Sequence, residues 1–176
     1  MALLSGCNNG DSDGSSNPVR STSATLTCPK PQEGIVGCWV TEKCDRMTGN
    51  DGKTIDYWGS HRVLFAQDGK IEFLSQQFNN SSCAGQPNGA PVNEMVVVSY
   101  VEAQPEQDVS GVEASKLIVT STFQDKQPFD TGVLYFISNN YRLCLSSAFK
   151  ITHDAVSMTE SSSSPIDFES CLVRVD

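Results

Sequence analysis

The chain from Cys28 onward alternates apolar and polar residues in short runs separated by turn residues, and this pattern limits it to an all-β fold. In the run KLIVTSTF (116–123), Leu117, Val119 and Phe123 lie on one face and the residues between them are mostly polar. A period of two is that of a half-buried strand. No stretch shows a 3.6-residue period with helix caps at both ends. The sequence therefore predicts about eight strands.

These strands follow one another along the chain, so sequence neighbours are expected to pair. Asp68-Gly69, between two apolar runs, is a strong hairpin signal. About eight strands joined in order favour an up-and-down antiparallel β-barrel, since closure removes exposed strand edges. A β-sandwich is the alternative. The predicted strands are IVGCWV (35–40), HRVLFA (61–66), KIEFLSQQF (70–78), MVVVSYVEA (95–103), KLIVTSTF (116–123), VLYFIS (133–138), YRLCLSS (141–147) and DFESCLVRV (167–175).

The chain has seven cysteines and no CxxC pair, which favours disulfides in an oxidising compartment over a zinc site. Six of them fall in the predicted barrel. Cys44 follows the first predicted strand, and Cys83 follows the third. Alternate strand ends of a meander lie at the same end of a barrel, so these two are expected to bond. A closed barrel also makes the first and last strands neighbours. The predicted pairs are Cys44–Cys83, Cys38–Cys171 and, by elimination, Cys28–Cys144.

The seventh cysteine ends the run Leu4-Ser5-Gly6-Cys7, which resembles the lipobox of bacterial lipoproteins. The resemblance implies that residues 1–7 are the remnant of a lipoprotein signal and that Cys7 carries the lipid anchor. Residues 8–27 are polar throughout and predict a flexible tether that holds the domain about 25 Å from the membrane. In bacterial lipoproteins, an Asp directly after the lipidated cysteine favours retention at the inner membrane. This chain has Asn8 at that position, so the resemblance implies that the protein resides at the outer membrane. An expression remnant with a chance match is the alternative.

Residues 28–176 form the predicted barrel domain, and its first part resembles the small lipocalin-like lipoproteins of bacteria. The resemblance rests on Gly37-Cys38-Trp39, which matches a Gly-x-Trp motif, and on the order of Cys44, the Asp68-Gly69 hairpin and Cys83. It supports the Cys44–Cys83 pair. It also implies that Trp39 closes one end of the barrel beneath a basic residue of the last strand, for which Arg174 is the candidate.

Charge and motifs favour a binding protein of the cell envelope over an enzyme. A net charge of −9, with scattered basic residues, argues against nucleic acid as a partner. No GxSxG motif accompanies the two histidines, His61 and His153, and neither a metal nor a cofactor site is predicted. The leading hypothesis is that the barrel binds a small apolar ligand or lipid. The alternative is an interaction module, an inhibitor or adhesion protein that contacts an envelope protein through loops at one barrel end.

An aromatic pair marks the candidate binding surface. Tyr57 and Trp58 close the long polar segment DRMTGNDGKTIDYWGS (45–60), which the sequence predicts as a loop. Exposed aromatic residues at a barrel mouth are typical of contact surfaces. We therefore expect Tyr57 and Trp58 to contribute to ligand or partner binding.

Overall fold

A computed structural model describes most of the chain beyond the predicted tether. The described residues are 27–30, 32–48, 54–88, 92–93, 97–122, 127–138, 141–151, 156–159 and 164–175. Cys7, residues 8–26 of the predicted tether, Phe123 and His153 lie outside them. The described part is all β.

The described residues contain twelve strands. These are β1 (Gly37–Thr41), β2 (Asp45–Thr48), β3 (Thr54–Phe65), β4 (Lys70–Phe78), β5 (Val92–Asn93), β6 (Val97–Gln107), β7 (Glu113–Thr122), β8 (Phe129–Ser138), β9 (Arg142–Leu145), β10 (Phe149–Ile151), β11 (Val156–Met158) and β12 (Leu172–Val175).

Eight of these strands close into an up-and-down antiparallel barrel. The ring runs β1, β3, β4, β6, β7, β8, β9 and β12, and β12 pairs with β1 to close it. Short β2 continues alongside β3 beyond β1, and β5 continues alongside β4 beyond β6. The predicted barrel is confirmed, and the sandwich alternative is wrong because each ring strand pairs on both sides.

Up-and-down order sorts the connections to two ends. At the end that we call the hairpin end, tight turns join β3 to β4, β6 to β7 and β8 to β9. The segment before β1 and the C-terminal end of β12 lie there too. At the opposite end, the loop end, longer connections follow β1, β4, β7 and β9. Residues 54–60, predicted as loop, instead form the first part of β3, because the β-branched and aromatic side chains of TIDYW suit a strand and β2 pairs with it.

The β3–β4 turn follows the predicted Asp68-Gly69 signal. The Gly69 N–H donates to the Ala66 carbonyl at 3.0 Å, and the Ala66 N–H donates to the Lys70 carbonyl at 2.9 Å. Gly69 has φ +82°, the left-handed conformation that completes a three-residue hairpin loop. Its carbonyl also accepts from the Tyr100 N–H at 2.7 Å, which ties the turn to β6.

Large side chains of the described residues occupy the barrel interior. Alternate residues of the ring strands point inward, and Phe65 packs edge-to-face on Tyr100 with ring centroids 5.6 Å apart. Two other large apolar residues of the ring strands do not belong to the interior cluster: Leu74 is buried outside it, and Phe136 is 36% exposed on the outer face, because each occupies an outward position of its strand. The interior cluster is Ile35, Trp39, Val63, Phe65, Ile71, Phe73, Val98, Tyr100, Leu117, Val119, Val133, Tyr135, Leu143, Leu145, Phe149, Ile151 and Leu172.

The β10–β11 hairpin inserts into the loop end. The sequence pattern of this segment is ambiguous as to secondary structure. Phe149 belongs to the interior cluster and meets Phe73 edge-to-face at 6.0 Å. The Ser121 hydroxyl contacts the Met158 sulfur at 3.2 Å, and the Thr131 hydroxyl donates to a carbonyl just after β11 at 3.1 Å. The hairpin therefore plugs the barrel from this end.

Three disulfides stabilise the fold, and one of the three predicted pairs is confirmed. The predicted pairs Cys38–Cys171 and Cys28–Cys144 are wrong. The structure joins Cys28 to Cys38, Cys44 to Cys83 and Cys144 to Cys171.

Strand register explains the two wrong pairs. β1 and β12 are neighbours as expected, but their antiparallel register places Cys38 opposite Val175, at the far end of β12 from Cys171. Extending the β9–β12 register by one residue places Cys171 opposite Cys144, and these two bond with a Cα–Cα distance of 4.3 Å. Cys38 points to the outer face, where Cys28 of the preceding segment reaches it.

A buried carboxylate joins the β6–β7 turn to the segment before β12. The Asp108 carboxylate accepts from the Ser110 hydroxyl at 2.6 Å, the Val112 N–H at 2.9 Å and the Ile166 N–H at 3.3 Å. Ile166 packs with Leu134 in a second cluster outside the barrel, over the Cys144–Cys171 disulfide. The hydrogen bonds, above all that from Ser110, lower the pKa of Asp108 to about 2.

Two turn glycines allow a matched test of backbone strain. Gly111 has φ +84° with no atom within 4 Å of an added Cβ, so Gly111→Ala should cost about 1–2 kcal/mol of unfolding free energy for the left-handed backbone alone. At Gly69 the added Cβ would lie 2.9 Å from the Tyr100 carbonyl oxygen, and Gly69→Ala should cost at least roughly 1 kcal/mol more. Urea unfolding checks both, and equal losses would contradict the close approach at Gly69.

Asp108 should make stability fall in acid. Its folded pKa of about 2 lies below the ordinary value of 3.8, so its stabilising contribution is present above about pH 4 and is lost as the pH falls towards about 2. Asp108→Asn should reduce stability at neutral pH and remove this part of the acid dependence. Unfolding curves between about pH 2 and pH 7 measure it.

The matched control is Asp68→Asn. A hydrogen-bonded ion pair with Lys70 lowers the pKa of Asp68 at an exposed site, so its contribution should vanish in about 1 M salt. The Asp108 contribution comes from neutral donors and should persist in that salt. If the acid dependence lost in Asp108→Asn also disappears from the unmodified protein at high salt, this account is wrong.

Candidate functional site

Arg174 and Trp39 close the hairpin end as the resemblance implied. They lie opposite each other in the β1–β12 register, and the guanidinium carbon of Arg174 is 4.4 Å from the Trp39 ring centroid. Trp39 is fully buried, and its Nε1–H donates to the Ile35 carbonyl at 2.8 Å. The guanidinium donates to the carbonyls of Gln32 and Gly34. This arrangement is structural: it holds the segment before β1 across the barrel.

That segment, residues 32–36, acts as a strap across the hairpin end. Ile35 is fully buried in the interior cluster, and the Cys28–Cys38 disulfide ties the chain before the strap to the outer face of β1. Gly37 follows with φ +140°, a conformation that suits glycine, and lets the chain turn from the strap into the strand. The strap and Trp39 together seal most of this end.

Tyr141 forms the outer layer of the same stack. It is 59% exposed, and its ring centroid lies 5.3 Å from the guanidinium carbon of Arg174, on which Trp39 also packs. Its φ is +57°, and its N–H donates to the Ser138 carbonyl at 3.0 Å to close the β8–β9 turn. An exposed aromatic residue held in a left-handed turn presents a fixed apolar surface.

At the loop end, the Cys44–Cys83 disulfide joins the connections after β1 and β4. Asn80 shapes the second of these: its side-chain oxygen accepts from the N–H groups of Ser82 and Ala84 at 3.2 and 3.1 Å. Cys83 has φ +49° within this turn. The disulfide and the asparagine turn fix the conformation of this described part of the loop end, which we call the Cys44–Cys83 rim.

Tyr57 and Trp58 do not form a single aromatic patch, which corrects their placement together in a loop. Both lie in β3, where successive side chains point to opposite faces. Tyr57 is 42% exposed near the loop end, whereas Trp58 lies on the outer face, partly buried beneath Arg46 with a guanidinium-to-ring distance of 5.1 Å. Of these two residues, Tyr57 is therefore the one whose ring is available for contact at this end.

A polar pair that the sequence did not single out lies inside the barrel. The Ser75 hydroxyl and His61 Nε2 are 2.6 Å apart, and His61 is buried. Alternation within each strand places His61 and Ser75 on the inner face, but only the β3–β4 register places them opposite each other, and the sequence does not give that register. Among the described residues, no group of three or more His, Cys, Asp or Glu side chains could hold a metal ion.

Two shallow clefts open at the hairpin end and share Gly34 and Ile137. The first, of about 300 Å³, lies between β7 and β8 and is lined by Glu113, Ala114, Ser115, Tyr135 and Phe136 in addition to the shared residues. The second, of about 320 Å³, lies between β8 and the strap and is lined by Glu33, Ser138, Tyr141 and Arg174 in addition to them.

Comparison with known proteins returned no match to a family model, a curated protein or a solved structure. The lipocalin-like resemblance therefore stays a prediction carried by short motifs. Within the described residues there is no helix long and apolar enough to cross a membrane.

Arg174→Lys should destabilise the hairpin end. A lysine cannot lie flat on the Trp39 ring while donating to two carbonyls, so the unfolding free energy should fall by about 1–3 kcal/mol. The Trp39 indole N–H should also exchange faster with solvent. The matched control is Arg46→Lys, the same change over Trp58 at an exposed arginine, where we expect a loss below about 0.5 kcal/mol. Equal losses would show that the Arg174 stack has no special role.

Proposed function

We propose that this protein is a lipid-anchored component of the bacterial cell envelope, attached to the outer membrane through Cys7, that binds an envelope protein through its loop end and has no catalytic role. The supporting observation is the filled barrel: large side chains of the described residues occupy the interior, and the β10–β11 hairpin enters from one end. A barrel of this size either fills its interior or holds one small ligand. The filled interior favours the interaction module over a ligand carrier.

The three disulfides support the compartment. Each bonds two cysteines that a reducing cytosol would keep apart, so the fold suits an oxidising environment such as the periplasm. The acidic net charge of −9 suits a soluble domain held near other envelope proteins and does not suit nucleic acid.

Chain direction supports the choice of the loop end. The strap and the Cys28–Cys38 bond place the start of the barrel domain at the hairpin end. A tether from Cys7 would therefore join the barrel on this side, so the loop end is the end farther from the point of attachment. There the Cys44–Cys83 rim and the exposed Tyr57 offer an ordered surface for a partner.

The anchor is tested by expressing the chain in a bacterium behind a complete lipoprotein signal that ends in Leu4-Ser5-Gly6-Cys7. We expect the protein to fractionate with the outer membrane and to incorporate labelled fatty acid, since several acyl chains anchor a protein stably. Cys7→Ser should abolish both. A protein that is equally soluble with and without Cys7 would contradict the proposal.

The binding surface is tested in the same cells with a photo-crosslinking amino acid. Placed at Tyr57, it should form a discrete crosslink to an envelope protein, and the crosslink should weaken when Cys44 and Cys83 are both replaced by alanine. Placed at Val101, which is also exposed but lies in β6 away from the loop end, it should not. Equal crosslinks from both positions would mean that the loop end is not the contact surface.

A further inference from the structure

The barrel wall splits at the hairpin end, between β7 and β8. Their pairing stops at Ser115 and Tyr135, yet β7 extends to Glu113 and β8 extends to Ser138. Extending the register would place Ala114 opposite Phe136, but the two strands do not pair there. Beyond the split, β7 remains bonded to β6 and β8 to β9, so each strand keeps one partner and has a free edge towards the other.

The first cleft coincides with this split. Its lining is the segment 113–115 of β7, the segment 135–137 of β8 and Gly34 of the strap. It continues into the second cleft past Ile137 and Gly34. The first cleft, with a volume of about 300 Å³, is thus bounded by segments of two strands.

The chemistry of the split matches a peptide backbone. A free strand edge presents N–H and C=O groups at the spacing of another strand, and such edges bind extended segments through main-chain hydrogen bonds. Tyr135 and Ile137 provide apolar contact on the inner side, and Phe136, which is 36% exposed, provides it on the outer side. Recognition of this kind depends on backbone conformation more than on side-chain sequence.

The acidic residues that line the two clefts favour extended segments that carry basic side chains. Glu113 lines the first cleft and Glu33 lines the second. Both residues are exposed, and neither forms an ion pair within the described part of the chain. The one basic group of the lining, Arg174, is covered by two aromatic rings and donates to two carbonyls. The lining of the first cleft contains Glu113 and no basic residue, so a basic side chain of a segment bound there would meet the Glu113 carboxylate.

From this juxtaposition we propose that the β7–β8 split binds an extended segment of another protein, carrying at least one Lys or Arg, by adding it as a strand to the free edge of β7 or β8. This site is separate from the loop end, so it gives the protein a second contact surface, on the side facing its tether.

The test uses the full oxidised chain and three synthetic peptides. The first is acetyl-Thr-Lys-Val-Lys-Val-Thr-amide, the second carries Glu in place of both Lys, and the third is the first with N-methyl groups on alternate peptide nitrogens. Amide chemical shifts and titrations report the site and the affinity. We expect the lysine peptide to shift the amides of residues 113–115 and 135–137. The glutamate and N-methyl peptides should bind at least about tenfold more weakly, the loss expected from one or two missing polar contacts.

A charge-reversal pair tests the protein side. Glu113→Lys should weaken binding of the lysine peptide about tenfold and improve binding of the glutamate peptide. Glu72→Lys, the same change at an exposed position of β4, should leave both affinities unchanged. Both positions are exposed, so both variants should fold.

Three outcomes would overturn the proposal. The first is an N-methyl peptide that binds as tightly as its parent, because binding would then not use the strand edge. The second is a set of shifted amides centred away from the split. The third is no binding of the lysine peptide at about 2 mM, since edge pairing tolerates sequence and should be detectable at that concentration.

Discussion

The pairing of the first strand with the last holds this structure together. β1 and β12 lie more than a hundred residues apart along the chain, and their register places Arg174 on Trp39. Without this pairing the sheet would have two open edges, and the strap would have neither the guanidinium that binds its carbonyls nor the ring that supports Ile35. The β1–β12 pairing thus determines three features: sheet closure, the covering of the hairpin end and the route of the chain before β1.

The barrel is filled from both ends by segments outside its ring. Ile35 enters from the strap, and Phe149 enters from the β10–β11 hairpin. A ring of eight strands leaves a narrow interior, so a few such side chains complete the packing. Both contact sites proposed above accordingly lie on the surface, one formed by folded loops at the loop end and the other by strand edges at the β7–β8 split.

Alternation and turn signals in the sequence were enough to predict the barrel and the Asp68-Gly69 hairpin, because both depend on local chemistry. The resemblance also pointed to Arg174 over Trp39. Register was not predictable: the wrong partner for Cys38 followed from knowing that β1 and β12 are neighbours without knowing their alignment. Likewise, the polar run before Tyr57 hid the first half of β3, whose stability comes from β2 and β4 on either side. The split depends on where pairing ends, which no local pattern records.

The disulfides also have a consequence for how the chain matures. In sequence order the first cysteine of the barrel bonds the second, the third bonds the fourth and the fifth bonds the sixth. A chain that emerges from its N-terminus therefore offers each thiol its correct partner as the next one to arrive. Once the proposed lipidation blocks the Cys7 thiol, oxidation of the other six cysteines in order of appearance would yield the native connectivity directly.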